Sequence, residues 1–248
     1  MAWVQDDRFY PKEIDPSNEF QHTVLRVFFE RYEVAVGWLR ERFTTGPIRI
    51  LDMACGSGYG SSMLSELGEA VGVDIGENAV SYAQETYGQD GITFRVGSAD
   101  DPAFLDTLGK FDAIVSIATI EHVDDVVGFL TWMRQALKPD GVCILCFPSS
   151  LTCDWANPHH KRDISVRQAA RLFTQIGFRV VNDFHQSERI TLKDLLSGDK
   201  DHELPAPPLW RWILYYLLHP HHLFVRLYEL VFRRGFTFSH QQYLLVTR

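Results

Sequence analysis

The sequence has few cysteines, no excess of basic residues and no apolar leader, and each absence excludes a class of protein. Four cysteines in 248 residues are too few for the disulfide framework of a small secreted protein. Lys and Arg number 24 against 32 Asp and Glu, whereas a general nucleic-acid binder presents a basic surface. Residues 1–13 carry charges where a secretory signal peptide needs an apolar run. We therefore expect a cytoplasmic protein that does not bind nucleic acid.

Long uncharged runs are also missing. The longest lies between Arg211 and Arg226, and its 14 residues include Pro220. A membrane-spanning helix needs about 20 apolar residues. The sequence therefore predicts no helix that crosses a membrane.

Short apolar runs alternate with helical patterns through most of the chain. The predicted strands are residues 48–53, 70–73, 92–96, 111–117, 142–147, 178–184 and 242–246. Strands that alternate with helices predict an α/β protein with a Rossmann-like, doubly wound and mostly parallel sheet. Such a sheet binds its ligand at the carboxyl ends of its strands. We expect four parts: an N-terminal helical cap (1–46), a core (47–186), a helical insertion (187–239) and a last strand of the core sheet (240–248).

The loop after the first predicted core strand is the most informative stretch. Gly56, Gly58 and Gly60 follow that strand and lead into a helix. Glycine lets a ligand approach the backbone closely, and the helix N-terminus offers free N–H groups. Asp52 precedes the loop and Asp74 ends the next strand, where a carboxylate can accept both ribose hydroxyls of a nucleoside. The pattern predicts a nucleoside-binding site.

Two features favour S-adenosylmethionine (SAM) over a dinucleotide as that ligand. A dinucleotide places its pyrophosphate at the loop, where Asp52 would repel it, whereas the ammonium of SAM suits Asp52 and its carboxylate suits the helix N-terminus. The glycines are also spaced G-x-G-x-G, and Ser61 stands where dinucleotide folds have a third glycine.

The chain resembles the class I SAM-dependent methyltransferases in five stretches that follow the family's order. These stretches are residues 51–60, 71–75, 96–100, 111–116 with 120–123, and 137–141. Ala54 stands where the family more usually has glycine, and Ser98 stands where it often has an aspartate that takes the adenine amino group. The resemblance implies SAM as cofactor, S-adenosylhomocysteine as product and an antiparallel last strand. The implied cofactor-binding residues are Asp52, Ala54, Gly56, Ser57, Gly58, Asp74, Ile75, Ser98, Ala99, Asp100, Ser116 and Ile117.

A looser resemblance links the flanks to bacterial methyltransferases that are encoded with glycosyltransferases and methylate cell-surface sugars. It rests on Arg8-Phe9-x-Pro11, Arg31-Tyr32 and Asn157-Pro158-His159-His160. It implies O-methylation of a sugar or another hydroxylated small molecule.

Methylation of a hydroxyl group needs a general base, and three histidines are candidates. His122 follows the fourth predicted strand beside Glu121, while His159 and His160 follow the fifth. A positioned histidine adds about 10²–10⁴-fold to the rate. His122 could instead pack on the adenosine or cap the next helix, and His159 and His160 could instead donate to the substrate or lie in solvent. The candidates for substrate contact are Phe9, Tyr10, Glu121 and Asn157.

We expect no metal ion. Glu121-His122 resembles the end of an E-x-x-E-H metal motif, but Ala118 occupies its first position. Cys143 and Cys146 lie in one predicted strand, where positions three apart face opposite sides, so they are interpreted as core thiols.

Residues 209–232 are rich in aromatic side chains and belong to the predicted insertion. The segment could be a lid over the acceptor pocket, a contact between two copies of the chain, or a helix pair on a membrane surface. Arg226, Arg233 and Arg234 beside Trp and Tyr suit the third interpretation, which would make the protein membrane-peripheral.

The residues taken together predict a SAM-dependent methyltransferase that acts on a hydroxyl of a small molecule. The alternatives are N- or C-methylation of a natural-product intermediate, an NAD(P)-dependent oxidoreductase, and a non-catalytic binding protein of the same fold.

Overall fold

The computed structural model describes residues 4–5, 8–15, 17–148, 160–162, 164–191 and 209–247. A short hairpin of β1 (Val4–Gln5) and β2 (Arg8–Phe9) is followed by a 3₁₀ turn, Pro11–Glu13. The long helix α1 (Glu19–Arg42) comes next and packs on one face of the central sheet.

Seven strands form the central sheet. They are β3 (Ile48–Met53), β4 (Gly68–Asp74), β5 (Ile92–Val96), β6 (Phe111–Ile117), β7 (Leu137–Pro148), β8 (Phe178–Thr191) and β9 (Gly235–Thr247). Their order is β5-β4-β3-β6-β7-β9-β8. β9 runs antiparallel to β7 and β8, and the pairs from β5 to β7 are parallel. The predicted mostly parallel sheet with an antiparallel last strand is confirmed.

The remaining helices cover the sheet and precede its last strand. They are α2 (Tyr59–Leu64), α3 (Glu77–Tyr87), α4 (Pro102–Leu105), α5 (Val126–Ala136), α6 (Val166–Ile176), α7 (Leu209–Leu218) and α8 (Pro220–Tyr228), with a π-helical turn at Glu229–Arg233. α7, α8 and the π-helical turn are called the insertion helices below. Within the described ranges, no helix is both long and apolar enough to cross a membrane.

Apolar side chains cover both faces of the sheet, which is why its inner strands are rich in apolar residues. One face packs against α5 and α6, and the other packs against α1. Cys143 belongs to the first face and Cys146 to the second, so the prediction of core thiols on opposite sides is confirmed. Burial raises the pKa of Cys146 to about 12, which keeps this thiol protonated and unreactive.

The last two strands along the chain, β8 and β9, are longer than predicted. Pairing of β8 with β9 continues from Gln186↔His240 to Thr191↔Gly235, whereas the sequence indicates strands only over 178–184 and 242–246. The extension is a two-stranded ribbon beyond the rest of the sheet. It satisfies its backbone groups by pairing and needs no buried apolar run, so it leaves no apolar signal.

Candidate active site

The loop between β3 and α2 turns sharply at the carboxyl end of the sheet. Ala54, Gly56 and Gly58 have φ angles of +63°, +55° and +87°, in the left-handed region that favours glycine. A Cβ at Gly58 would lie 2.6 Å from the Cβ of Ala83. The loop therefore packs tightly against α3 while its other side faces a cavity.

Asp74 holds this loop at the end of β4. Its Oδ2 accepts a hydrogen bond from the Gly56 N–H at 3.0 Å, and its Oδ1 accepts from the Gly76 N–H at 2.8 Å. Arg8 also donates to Oδ1 through Nε at 2.8 Å and lies 2.6 Å away through Nη2. The carboxylate thus joins the glycine-rich loop, β4 and the N-terminal segment.

Asp52 lies behind the loop rather than on the cavity wall. Its Oδ1 accepts from the Tyr32 hydroxyl at 3.1 Å, and its Oδ2 accepts from the Ser61 hydroxyl at 2.7 Å. Burial raises the pKa of Asp52 to about 7. Its side chain therefore braces α1 and α2 behind the loop, and its contact with a ligand stays a prediction.

A cavity of about 540 Å³ opens at the carboxyl ends of β3, β4 and β6. The predicted residues on its described wall are Phe9, Ala54, Gly56, Ser57, Asp74, Ile75, Ser98, Ala99, Asp100, Ile117 and His122. Gly58, Ser116, Tyr10, Glu121 and His160 are described but do not lie on that wall. Asn157 and His159 lie outside the described residues.

The wall opposite the loop combines an apolar side chain with a fixed carboxylate. Ile75 is 65% exposed, which is unusual for isoleucine. Asp100 accepts hydrogen bonds from the Asp124 N–H at 2.9 and 3.1 Å. Asp100 therefore holds the turn before α5 as well as lining the cavity.

Glu121, His122 and His160 meet at the mouth of the cavity. The rings of His122 and His160 are edge to face with centroids 4.8 Å apart, and Glu121 Oε1 lies 4.0 Å from His122 Nε2. One donor atom from each of the three lies within 4.8 Å of the others, so the group could hold a metal ion. The third member of this group is His160, which the E-x-x-E-H spacing does not include, and the absence of a metal ion stays a prediction.

The N-terminal aromatics pack instead of projecting into solvent. Phe9 stacks on Phe28 with centroids 4.5 Å apart, and its carbonyl accepts from the Ser57 hydroxyl at 2.5 Å. Tyr10 packs edge to face on Tyr82. Phe9 therefore closes the cavity from the N-terminal side, while Tyr10 fixes the segment to α3.

The cavity wall also includes side chains that were not predicted as site residues, among them Arg8, Arg31, Tyr32 and Lys161. Arg31 is buried in α1, and its Nε donates to Gln186 Oε1 at 2.8 Å. Arg31 Nη2 also lies 3.2 Å from His240 Nδ1. Only the fold brings these residues together, because Arg31 and His240 are separated by almost the whole chain.

A doubly wound sheet whose glycine-rich loop and strand-end carboxylate share one cavity defines a nucleoside-binding α/β protein. A family model described as "Methyltransferase domain" matches residues 51–145. A Mycolicibacterium smegmatis protein named "Probable S-adenosylmethionine-dependent methyltransferase" is 26% identical over 159 residues, 62% of this chain and 60% of its own length. A Paramagnetospirillum magneticum ubiquinone biosynthesis O-methyltransferase is 33% identical over 138 residues, 52% of this chain and 54% of its own. The chain thus spans less than two thirds of the curated relatives it matches.

Solved structures show the same fold. A Thiobacillus denitrificans SAM-dependent methyltransferase in complex with S-adenosylhomocysteine has a TM-score of 0.55 and 16% identity, covering 88% of this chain and 91% of its own. The magnesium protoporphyrin IX methyltransferase of Synechocystis with bound SAM has a TM-score of 0.57 and 19% identity, covering 72% and 82%. Residues 51–145 thus match a methyltransferase domain, and the fold is shared with SAM-dependent methyltransferases.

Proposed function

We propose that this chain binds SAM in the cavity and transfers its methyl group to a hydroxyl group of a small molecule. The observation that carries the proposal is the position of Asp74. Its carboxylate lies on the cavity wall at the carboxyl end of β4, bonded to the Gly56 N–H of the glycine-rich loop. That is the place where a nucleoside ribose is held in this type of sheet.

The residues around the cavity fit the parts of SAM. Asp74 offers acceptor oxygens for the ribose hydroxyls, and the exposed side chain of Ile75 offers an apolar surface for adenine beside Ala99. The loop backbone at Ala54 and Gly56 would contact the amino-acid end of SAM. When bound, SAM supplies a methyl group on a positively charged sulfur that leaves as a neutral thioether.

The protein's main contribution to such a transfer is orientation. Holding two reactants in line is worth up to about 7–11 kcal/mol of the barrier. The cavity is lined by Phe9 on one side and by Ile117 on the other. These two side chains would restrict the movement of the reacting groups and exclude water.

His122 is the residue that we propose as general base. It lies on the cavity wall at the turn after β6, and its side chain is 27% exposed. Glu121 beside it is buried, and a carboxylate near an imidazole favours the protonated ring that forms once the base has taken a proton. The acceptor hydroxyl would therefore lose its proton to His122 as the methyl group arrives.

A hydroxylated acceptor is supported by the relatives and by the flanking motifs. Several relatives are named ubiquinone biosynthesis O-methyltransferases, which places O-methylation among the activities of similar proteins. We propose a small hydroxylated molecule, with sugars and natural products as the classes to test.

Calorimetric titration tests the cofactor. SAM and S-adenosylhomocysteine should bind the wild type, and Asp74→Ala should weaken both at least tenfold because two hydrogen bonds to a charged acceptor are lost. Asp90→Ala, an exposed acid in another loop, is the control and should bind normally. Binding of NADH without binding of SAM would overturn the proposal in favour of an oxidoreductase, and SAM binding without turnover of any acceptor would support a non-catalytic protein.

A further inference from the structure

The insertion helices expose an unusual amount of apolar surface. Twelve large apolar side chains are exposed between positions 210 and 232, against six in all the other residues that the structure describes. Leu217, Phe224 and Phe232 are 73%, 73% and 72% exposed. Isolated apolar side chains on a surface are ordinary, but a contiguous set of this size marks an interaction site.

The same segment has a basic character that contrasts with the acidic chain. Glu229 is the only acidic residue between positions 209 and 234. It is buried and paired with Arg226 at 3.0 Å. Arg233 and Arg234, directly after the last exposed aromatic, are both exposed. The apolar face is therefore bordered by positive charge, while the whole chain has a net charge of −8.

The insertion helices stand at the same edge of the sheet as the cavity. β8 lies antiparallel to β9, which lies antiparallel to β7, so β8 ends at the carboxyl edge where the cavity opens. The π-helical turn packs on the start of β9, and Arg226 donates to the Thr237 carbonyl at 3.1 Å. The insertion helices and the cavity mouth thus lie at the same edge of the sheet.

We propose that the insertion helices dock on an anionic lipid bilayer, lying in the headgroup region. α7 and α8 have 10 and 9 residues, too few to cross a bilayer, but short amphipathic helices with Trp, Phe and Arg bind in its interface plane. Arg233 and Arg234 meet anionic headgroups, each basic residue adding to the attraction. If the proposed methyl transfer is correct, the cavity mouth receives an amphiphilic hydroxyl compound carried by the bilayer.

Two other occupants fit the observations less well. A lid would close over the cavity, yet none of the described residues of the insertion helices lines it. A symmetric dimer through this face would bring Arg233 and Arg234 of both copies into one interface, and Glu229, the one carboxylate of residues 209–234, is buried and could not balance them. A bilayer with anionic lipids supplies both the apolar interior and the negative charge.

Co-sedimentation of the full chain with vesicles tests the docking. Vesicles of phosphatidylcholine with one fifth phosphatidylglycerol should bind the protein at least tenfold more tightly than pure phosphatidylcholine, and high salt should weaken the binding. Leu217→Gln/Phe224→Gln/Phe232→Gln should lower vesicle affinity at least tenfold, and Arg233→Gln/Arg234→Gln should remove the preference for anionic lipid. Val127→Gln/Val166→Gln, at exposed apolar positions in α5 and α6, is the matched control and should bind like the wild type.

Each other result has a defined meaning. Equal binding of the wild type and the triple variant would overturn the docking, as would absent vesicle binding with a concentration-dependent dimer that the triple variant abolishes in sedimentation velocity. Titration with SAM separates the two proposals. Vesicle binding without SAM binding would support the docking proposal and overturn the proposed methyl transfer. SAM binding without vesicle binding would support the cofactor assignment and overturn the docking proposal.

Discussion

The Arg8 guanidinium lies 2.6 Å from the Asp74 carboxylate and so joins the N-terminal segment to the end of β4 on the cavity wall. Arg8 is 19% exposed and Asp74 is 5% exposed at their side chains. The carboxylate that we assign to the ribose hydroxyls is therefore already engaged by a residue 66 positions earlier. A ribose and Arg8 must share or compete for the same two oxygens.

Replacement of Arg8 by methionine should tighten SAM binding. The competing ion pair at a partly exposed site is worth up to about 1 kcal/mol, so the dissociation constant should fall by about fivefold. Calorimetric titration measures this change. Lys12→Met, which removes a charge from the same segment but off the cavity wall, should have no effect. A weaker complex in Arg8→Met would mean that Arg8 binds the ligand itself.

Replacement of His122 by alanine should slow the reaction without weakening SAM binding. Loss of a general base should lower kcat by about 10²–10⁴-fold, measured as release of S-adenosylhomocysteine with an accepted substrate. His160→Ala, which alters a neighbour off the described cavity wall, should lower kcat less.

Chelation distinguishes the base from a metal centre at the same group. With His122 as the base, EDTA should leave kcat unchanged. A loss of activity that Mg²⁺, Mn²⁺ or Zn²⁺ restores would assign Glu121, His122 and His160 as metal ligands, because their donor atoms lie within 4.8 Å of one another.

Asp52 should make the fold less stable as the pH rises. Burial raises its pKa in the folded protein to about 7, above its ordinary value of 3.8, so the folded state holds this proton more tightly than the unfolded state. Stability is therefore lost between about pH 4 and pH 7 and is constant above that. Denaturant titrations should give the wild type and Asp52→Asn their most similar free energies of unfolding near pH 4. The two should differ most above pH 7, because the wild type has then lost more stability than the variant. A constant difference from pH 4 to pH 8 would contradict the raised pKa.

Two glycine-to-alanine substitutions should have opposite effects. A Cβ at Gly60 would lie 2.0 Å from the Tyr32 ring, so Gly60→Ala should destabilise the fold by about 1–3 kcal/mol through overpacking. No atom lies within 4 Å of a Cβ at Gly37 in α1, so Gly37→Ala should stabilise by about 0.5–1 kcal/mol through helix propensity. Thermal unfolding measures both, and equal effects would contradict the close packing of α1 on α2.

The parts of the site that are local in sequence could be predicted, and the parts that depend on distant contacts could not. Gly56 and Asp74 follow directly from strand–loop–helix patterns, so their place at the sheet edge was predictable. Asp52 shares that pattern, but the direction of its side chain depends on the hydroxyls of Ser61 in α2 and Tyr32 in α1, and the Tyr32 hydroxyl is supplied only by the packing of α1. Arg8 reaches the cavity wall and His160 contacts the His122 ring, and neither of these contacts leaves a periodic signal in the sequence.

The fold, like the site, has parts that could be predicted from local sequence patterns and parts that could not. The parallel direction of the core strands follows from βαβ alternation, and the insertion before β9 was predicted from the interruption of that alternation. The ribbon beyond Gln186 and His240 was missed because an antiparallel pair stabilises polar residues through backbone hydrogen bonds alone.

The base of that ribbon is tied to α1 by side-chain bonds to one helical turn. Arg31 binds Gln186 and lies near His240, Gln186 donates to the Val27 carbonyl at 2.8 Å, and Gln242 donates to the Arg31 carbonyl at 2.9 Å. Beyond this belt β8 and β9 continue only as the ribbon, while Arg31 lies on the wall of the cavity. We therefore expect residues 187–239 to be exchangeable as a unit: the corresponding segment of a relative, joined at Gln186 and His240, would leave the residues that line the cavity unchanged.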